Sequence, residues 1–214
     1  MKNRYFLLLG MTSSMCCMSQ GALLLTAIYD GYGSSPKGVE VYVMETGAYE
    51  GYTLDIQSNA NTTWMTGYTF DTTIYSAGQF LYVTSTPTAV ELVSMSGVII
   101  DDGSFTMNGD DRVRLTNGGE TIDQYGVTDL DGTGEDWEYL DSYAVRSTGQ
   151  AWTGNFELSE WSVAPVNSLS SSNSGLTSAL GSYTIPEPAV HVMGLVGLGI
   201  CCRRRRAELR EGSA

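Results

Sequence analysis

The densest group of side chains capable of chemistry lies at residues 129–136, where acidic residues alternate with small ones. Its oxygen-bearing members are Asp129, Asp131, Thr133, Glu135 and Asp136. Carboxylates at alternate positions of a glycine-containing loop are the hard oxygen ligands that Ca²⁺ prefers. The spacing matches a calcium loop only in part, because the twelfth position counted from Asp129 is Leu140 rather than Glu. The sequence therefore predicts either a calcium site or a solvated acidic turn, in which Asp and Gly serve backbone geometry.

Nucleophilic and zinc chemistry are excluded for the central part of the chain. The single histidine is His191, and all four cysteines lie near the two ends, at 16, 17, 201 and 202. Serine and cysteine nucleophiles need a neighbouring base, which is most often histidine, and zinc sites are built on His or Cys. A secreted hydrolase that uses paired carboxylates on a glycan or nucleic acid stays open as an alternative, because acids are abundant. No pair stands out, so we expect a protein that is not an enzyme.

Aromatic side chains offer a second kind of binding surface. The four tryptophans are Trp64, Trp137, Trp152 and Trp161. Exposed aromatic rings beside polar turns can stack on sugar rings or dock partner proteins. Trp137 and Trp161 fall in strand-like segments, so we expect them in the core, whereas Trp64 fits either a core or a surface position.

The central part of the chain is strongly acidic. Residues 22–187 contain four basic and 22 acidic residues, a formal charge of −18, and the other seven basic residues sit at the two ends. Such a charge repels phosphate backbones, so we expect no nucleic-acid partner. Calcium, cationic polymers or plain solubility are the better interpretations of this charge.

The first 21 residues have the layout of a secretory signal peptide. A charged start at Lys2 and Arg4 precedes a largely apolar stretch, 5–18, and small residues stand before a cleavage point at Ala22. This arrangement is typical of export, and such a segment is excluded from the fold. A lipoprotein signal at Cys16 is the competing interpretation, although the residues before it match that signal poorly.

The C-terminal region carries the most specific pattern in the sequence. A Pro-Glu-Pro motif is followed by a 14-residue apolar run, 189–202, and then by four consecutive arginines. The residues of the motif and of the arginine cluster are Pro186, Glu187, Pro188, Arg203, Arg204, Arg205 and Arg206. The apolar run is shorter than the roughly 20 residues that usually span a bilayer. Its arginines would stay on the cytoplasmic side.

Together these residues resemble the PEP-CTERM sorting signal of Gram-negative and related bacteria. The resemblance implies a membrane segment that is recognised by an exosortase-type processing enzyme, with release to the cell surface or the extracellular matrix. An uncut membrane anchor is the alternative. Residues 168–184, which precede the motif, are rich in Ser and Gly, and this composition predicts a flexible linker.

The segment between the two ends has β-strand patterns nearly throughout. Residues 22–29 form a continuous apolar run, and Val39, Val41 and Val43 alternate with other residues. Asn-Gly-Gly at 117–119 is a hairpin signature. The further expected strands are 52–56, 80–84, 98–100, 113–115, 121–125, 143–146 and 158–163. Short strands at regular intervals without a long amphipathic helix predict an antiparallel β-sandwich.

The same segment resembles a known module. The stretches that carry the resemblance are 23–31 (LLLTAIYDG), 36–42 (PKGVEVY), 108–115 (NGDDRVRL), 123–126 (DQYG), 131–134 (DGTG) and 137–144 (WEYLDSYA). In this order they resemble the lamin-tail-like domain of secreted bacterial surface proteins and extracellular nucleases. The resemblance implies an immunoglobulin-like β-sandwich that serves in adhesion or targeting rather than in catalysis.

The sequence as a whole predicts four segments. They are a signal helix at 1–21, a lamin-tail-like β-sandwich at 22–167, a linker at 168–184 and a sorting signal with a short membrane helix at 185–214. We expect an all-β, exported, non-catalytic protein of the cell envelope, outer surface or extracellular matrix, which associates with exopolysaccharide. A plain anchored spacer that binds nothing is a further alternative.

Overall fold

The computed structural model describes residues 22–34, 36–102 and 104–185. The predicted signal peptide at 1–21 lies outside these residues. So do the Pro-Glu-Pro motif, the apolar run 189–202 and the arginine cluster. Among the described residues, neither helix has the length and apolar character needed to cross a membrane.

Strands dominate the described part of the chain, which contains only two short α-helices. The strands are β1 Leu23–Asp30, β2 Lys37–Val43, β3 Gly47–Ala48, β4 Tyr52–Gln57, β5 Met65–Thr69, β6 Ile74–Tyr75, β7 Phe80–Thr84, β8 Val98–Asp101, β9 Arg112–Asn117, β10 Glu120–Tyr125, β11 Tyr143–Arg146 and β12 Trp161–Val163. The helices are α1 Val90–Val93 and α2 Ser174–Ala179. The prediction of an all-β fold is confirmed.

The strands form two main sheets. A six-stranded sheet has the order β12-β11-β1-β2-β7-β8, and a four-stranded sheet has the order β10-β9-β4-β5. A two-stranded ribbon, β3-β6, completes the described strands. All pairs are antiparallel except β7 with β8, where the prediction of an antiparallel arrangement is wrong. A parallel pair needs a crossover, which the connection through α1 provides.

One apolar cluster lies between the two main sheets, as in a β-sandwich. The alternating valines of β2 turn into this cluster, and Val39, Val41 and Val43 are fully buried. From the four-stranded sheet they meet Leu54 of β4 and Leu115 of β9. Burial of each such aliphatic side chain contributes about 1.5–3 kcal/mol, so the period-two pattern of these strands determines which faces pack together.

The opposite face of the six-stranded sheet is covered by the C-terminal part of the described chain. Residues 168–184 were expected to be a flexible linker, but they lie folded against the sheet. Leu169, Leu176, Leu180 and Tyr183 are all buried. These four side chains form the apolar surface of a segment that is otherwise rich in serine and glycine. We call residues 168–185 the C-terminal strap.

Candidate functional site

The acidic segment 129–136 lies in the connection between β10 and β11, and its first carboxylate is tied to β4. The side chain of Gln57 donates from Nε2 to Asp129 Oδ1 at 2.6 Å. In return, the backbone N–H of Asp129 donates to Gln57 Oε1 at 2.9 Å. Asp129 therefore serves as an anchor that joins the start of this segment to the four-stranded sheet.

The middle of the segment is folded by bonds between its own residues. The backbone N–H of Thr133 donates to Asp131 Oδ1 at 2.9 Å, and this contact lowers the pKa of Asp131. The Thr133 hydroxyl donates to Asp110 Oδ2 at 3.1 Å. Gly132 is required by close packing, because a Cβ atom at this position would lie 2.6 Å from the ring of Trp137. Asp and Gly here serve local backbone geometry.

A buried arginine lies beside this segment and supplies positive charge to it. Arg112 is fully buried, and its guanidinium donates to Gln57 Oε1 at 3.1 Å and to the carbonyl oxygen of Asn61 at 2.8 Å. Burial lowers its pKa, while four nearby carboxylates raise it. Those carboxylates belong to Asp110, Asp111, Asp129 and Asp131. The guanidinium thus acts on these carboxylates through its charge, while its hydrogen bonds go to Gln57 and to backbone carbonyls.

The neighbouring Asp111 is an internal hydrogen-bond acceptor. Its Oδ1 accepts from the backbone N–H of Asn59 at 2.8 Å, and its Oδ2 accepts from that of Asn108 at 3.2 Å. Burial, together with the charge of Asp110, raises the pKa of Asp111 to about 6. This carboxylate holds the β4–β5 turn against the loop before β9.

The five residues named for calcium are not assembled into a cage. Glu135 and Asp136 are exposed, away from the bonds made by Asp129 and Asp131. In the described ranges there is no group of three or more His, Cys, Asp or Glu side chains placed to hold a metal ion. Of the two predictions for residues 129–136, these contacts favour the acidic turn, and they do not test calcium binding.

A groove opens beside the same connection. Its volume is about 420 Å³. The residues that line it are Thr121, Gln124, Val127, Thr128, Trp152, Gly154, Asn155 and Phe156. None of these side chains carries a charge, although the surrounding chain is strongly acidic. The lining combines aromatic rings with hydroxyl and amide groups, which is the chemistry that receives sugar rings.

The groove is held rigidly by the core on one side and by side-chain bonds on the other. The ring of Phe156 packs edge-on against Tyr125, with centroids 5.2 Å apart, and against Trp137 at 6.2 Å. Gln124 Nε2 donates to the carbonyl of Gly126 at 2.7 Å and to Thr128 Oγ1 at 3.0 Å. The groove is therefore formed before any ligand binds.

The four tryptophans have different environments. Trp137 and Trp161 are 3% and 7% exposed, so the prediction that they fill the core is confirmed. Trp64 is half-buried and lies beneath Arg114, whose guanidinium carbon is 4.5 Å from the ring centroid. Trp152 is half-buried in the wall of the groove. It is the tryptophan best placed to stack on a ligand.

Two buried ionic groups were not foreseen from the sequence. Arg146 forms ion pairs with Asp123 and Glu160, and the guanidinium and the Asp123 carboxylate are fully buried. Glu40 faces away from the valine stripe, as the alternation along β2 predicts, but neither Lys37 nor an arginine of the described residues pairs with it. Instead its partners are the Thr26 hydroxyl at 2.6 Å and the backbone of Gly181. No local sequence signal marks such long-range partners.

Comparisons with known proteins leave the chain without an assigned family. A scan against protein-family models matched none of them. A search of curated proteins also found no significant match.

Proposed function

We infer that this chain is an exported, non-catalytic protein of the cell surface or extracellular matrix, whose β-sandwich binds an uncharged glycan of the exopolysaccharide. The observation that carries this function is the uncharged groove with Trp152 in its wall and Phe156 in its lining. An aromatic face receives the apolar side of a pyranose ring. The exposed amide of Asn155 and the hydroxyl of Thr128 can meet the hydroxyl groups of the sugar.

The charge distribution selects a neutral rather than an acidic glycan. Every basic side chain of the described residues is already bonded within the chain. Lys37 pairs with Asp30 at 2.6 Å, Arg114 with Asp55 at 2.9 Å and Arg146 with two buried carboxylates. Arg112 is fully buried on backbone carbonyls. An anionic polymer would therefore meet repulsion with no cation of the described residues to offset it.

Export and sorting are supported by the sequence of the two ends. The charged and apolar N-terminus supports secretion, and the Pro-Glu-Pro motif with its arginine cluster supports processing by an exosortase-type enzyme. Before processing, the apolar run 189–202 would hold the chain in the membrane. A lamin-tail-like module of immunoglobulin-like topology is consistent with two packed sheets and with a role in contact rather than catalysis.

Binding is tested with the purified full chain and two polysaccharides, one neutral and one acidic. We expect affinity for dextran, a neutral glucan, and none for polygalacturonate, measured by calorimetry. Trp152→Ala should reduce dextran affinity by about 5- to 150-fold, because a stacked aromatic ring contributes roughly 1–3 kcal/mol. Trp64→Ala is the matched control, since this tryptophan is also half-buried but lies under Arg114. Equal losses in both variants, or no dextran binding by the native chain, would count against the groove.

Export is tested separately by cell fractionation. The mature chain should appear outside the cytoplasm with an intact mass that locates both cleavage points. Replacement of the Pro186-Glu187-Pro188 motif by Ala-Ala-Ala should leave the chain in the membrane fraction. A full-length chain that remains in the cytoplasm would contradict this part of the proposal.

A further inference from the structure

The C-terminal strap is a layer added to the outer face of the six-stranded sheet. Its buried side chains pack on a second apolar cluster, separate from the one between the two main sheets. The cluster contains Ala27, Tyr29, Tyr82, Leu92, Leu169, Leu176 and Leu180. Because the strap contributes nothing to the main core, the two-sheet body would keep that core if the strap were lifted away.

Polar bonds fasten the strap near its two ends and at Asn173, whose Oδ1 accepts the backbone N–H of Tyr32 at 2.6 Å. At one end the backbone N–H of Leu169 donates to the carbonyl of Asp141 at 2.8 Å. At the other end the Tyr183 hydroxyl donates to the carbonyl of Gln150 at 2.9 Å. These bonds hold the strap to the loops at 32, 141 and 150 rather than to strands of the sheet.

Between these ends the strap contacts one buried carboxylate of the sheet. Glu40, on β2, is 1% exposed, and its Oε2 accepts the backbone N–H of Gly181 at 2.5 Å. Its Oε1 accepts the Thr26 hydroxyl at 2.6 Å. Gly181 fits because its φ is +68° and because a Cβ atom there would lie 3.2 Å from the Tyr82 hydroxyl. The carboxylate is therefore enclosed between sheet and strap.

Among the described residues no cation pairs with this carboxylate, because all four basic side chains have other partners. The strap contains no charged residue, and the groups that act on Glu40 are Thr26, Gly181 and Tyr82. The other titratable groups near this layer are phenols, the partly exposed Glu91 of α1, and the Arg146–Asp123 pair, which acts on Tyr183 of the strap. The phenols belong to Tyr29, Tyr42, Tyr82, Tyr143 and Tyr183. Ionisation of Glu40 thus places an unpaired charge under the strap, which is costly unless water reaches it.

We propose that the C-terminal strap is detachable and that Glu40 is its latch: the strap docks when this carboxyl is neutral and is released when it ionises. Burial raises the pKa of Glu40 to about 7, against 4.5 when exposed, and outweighs the hydrogen bonds from Thr26 and Gly181, which lower this pKa. A raised pKa means that the docked form binds the proton more tightly than the open form. Docking is therefore fully stable below about pH 4.5 and weakens as the pH rises through 7.

This inference does not depend on the glycan groove, and it is tested by amide hydrogen exchange of the full chain, measured by mass spectrometry at several pH values. After correction for intrinsic exchange, protection of peptides from residues 168–185 should fall on the order of 10- to 100-fold between pH 5.5 and pH 8. Peptides from β1 and β2 should stay protected. Glu40→Gln should remove this pH dependence, whereas Glu157→Gln, at an exposed position, should retain it.

Three results would overturn the latch. They are strap protection that is independent of pH in the native chain, the same pH dependence in Glu40→Gln, and loss of protection in strap and sheet together. If Glu40→Gln does not fold, Leu176→Ala decides whether the strap detaches. This variant should expose the strap at pH 5.5 and leave β2 protected, and equal loss in both would also overturn the proposal.

Discussion

The guanidinium of Arg146 and the carboxylate of Asp123 lie 2.5 Å apart, with both side chains fully buried. Arg146 belongs to β11 of the six-stranded sheet, and Asp123 belongs to β10 of the four-stranded sheet. The second oxygen of Asp123 accepts the backbone N–H of Leu25 at 2.7 Å, and Arg146 also binds Glu160 at 2.7 Å. This network is an ionic cross-link through the interior of the sandwich.

Removal of the arginine from this network should be strongly destabilising. In Arg146→Met the carboxylates of Asp123 and Glu160 would remain buried without a cation, so we expect a loss of about 3–5 kcal/mol in the free energy of unfolding, measured by urea denaturation. Arg114→Met is the comparison, because Arg114 is 23% exposed and its partner Asp55 keeps hydrogen bonds from the hydroxyls of Thr53 and Thr66, so the loss should be smaller than in Arg146→Met. Similar losses in the two variants would contradict a special role of the cross-link.

The stability of the chain should depend on the protonation of Asp111. Its pKa is raised to about 6, so the folded state favours the neutral carboxyl. The stabilisation is present below the unfolded pKa, near 4, and is lost as the pH rises through 6. We expect the free energy of unfolding to fall by on the order of 1–2 kcal/mol from this group between pH 4.5 and pH 7.5. The measurement is a series of urea titrations across this range.

Asp111→Asn provides the comparison for this pH series. The neutral amide should make the pH profile shallower by the share that Asp111 contributes, beside Glu40 and Asp123, whose pKa values burial also raises. Asp136→Asn, at an exposed position, should leave the profile unchanged. An unaltered slope in Asp111→Asn would show that other groups cause the pH dependence.

Substitution of Trp137 and of Trp152 should have different effects on the free energy of unfolding, because only Trp137 is a core residue. Trp137 is 3% exposed and contacts Tyr125 edge-on at 6.1 Å, so Trp137→Ala should lose about 3–5 kcal/mol in the free energy of unfolding. Trp152→Ala removes a half-buried ring and should cost less than about half of that. Urea denaturation of both variants measures the difference. A large loss of stability in Trp152→Ala would assign that ring to the core instead of to a ligand.

Calcium should have little effect on the native chain. Arg112 already supplies positive charge to Asp110, Asp111, Asp129 and Asp131, and a divalent cation would have to compete with it. We expect no shift in the melting temperature up to about 1 mM calcium, the affinity range of extracellular modules. A rise in melting temperature that is abolished in Asp131→Asn would instead establish a calcium site at this loop.

Much of the sheet structure follows from local patterns in the sequence. The strand at 80–84 and the strand at 143–146 match the structure residue by residue, and the hairpin at 117–119 joins β9 to β10. These patterns predict the strands because each strand buries one face and because the chain turns at glycine between strands. The start of the expected strand at 158–163 is instead a 3-10 turn, Leu158–Glu160, before β12.

The strap and the buried ion pairs could not be read from local patterns. Leu169, Leu176, Leu180 and Tyr183 are spaced by seven, four and three residues, which is the spacing of one helix face. The serines between them are only moderate helix formers, and the structure is helical only at Ser174–Ala179, so the spacing does not predict where these side chains pack. Glu40 and Gly181 are 141 positions apart. Such contacts arise only once the sheet exists, so they depend on tertiary packing rather than on propensity.

Whether the strap is docked or released also determines the largest distance between the β-sandwich and the point at which the C-terminal end is held. Residues 168–185, once free, could extend to at most about 60 Å, and as a Ser/Gly-rich coil they would average roughly 24 Å end to end. Before processing, while the apolar run 189–202 would hold the chain in the membrane, the latched form keeps the groove close to the bilayer. In the unlatched form, the fully extended strap would let the groove lie up to about 60 Å from the anchor point, which is about twice the thickness of the hydrocarbon layer. Local acidity would then set the range over which the protein can capture its glycan.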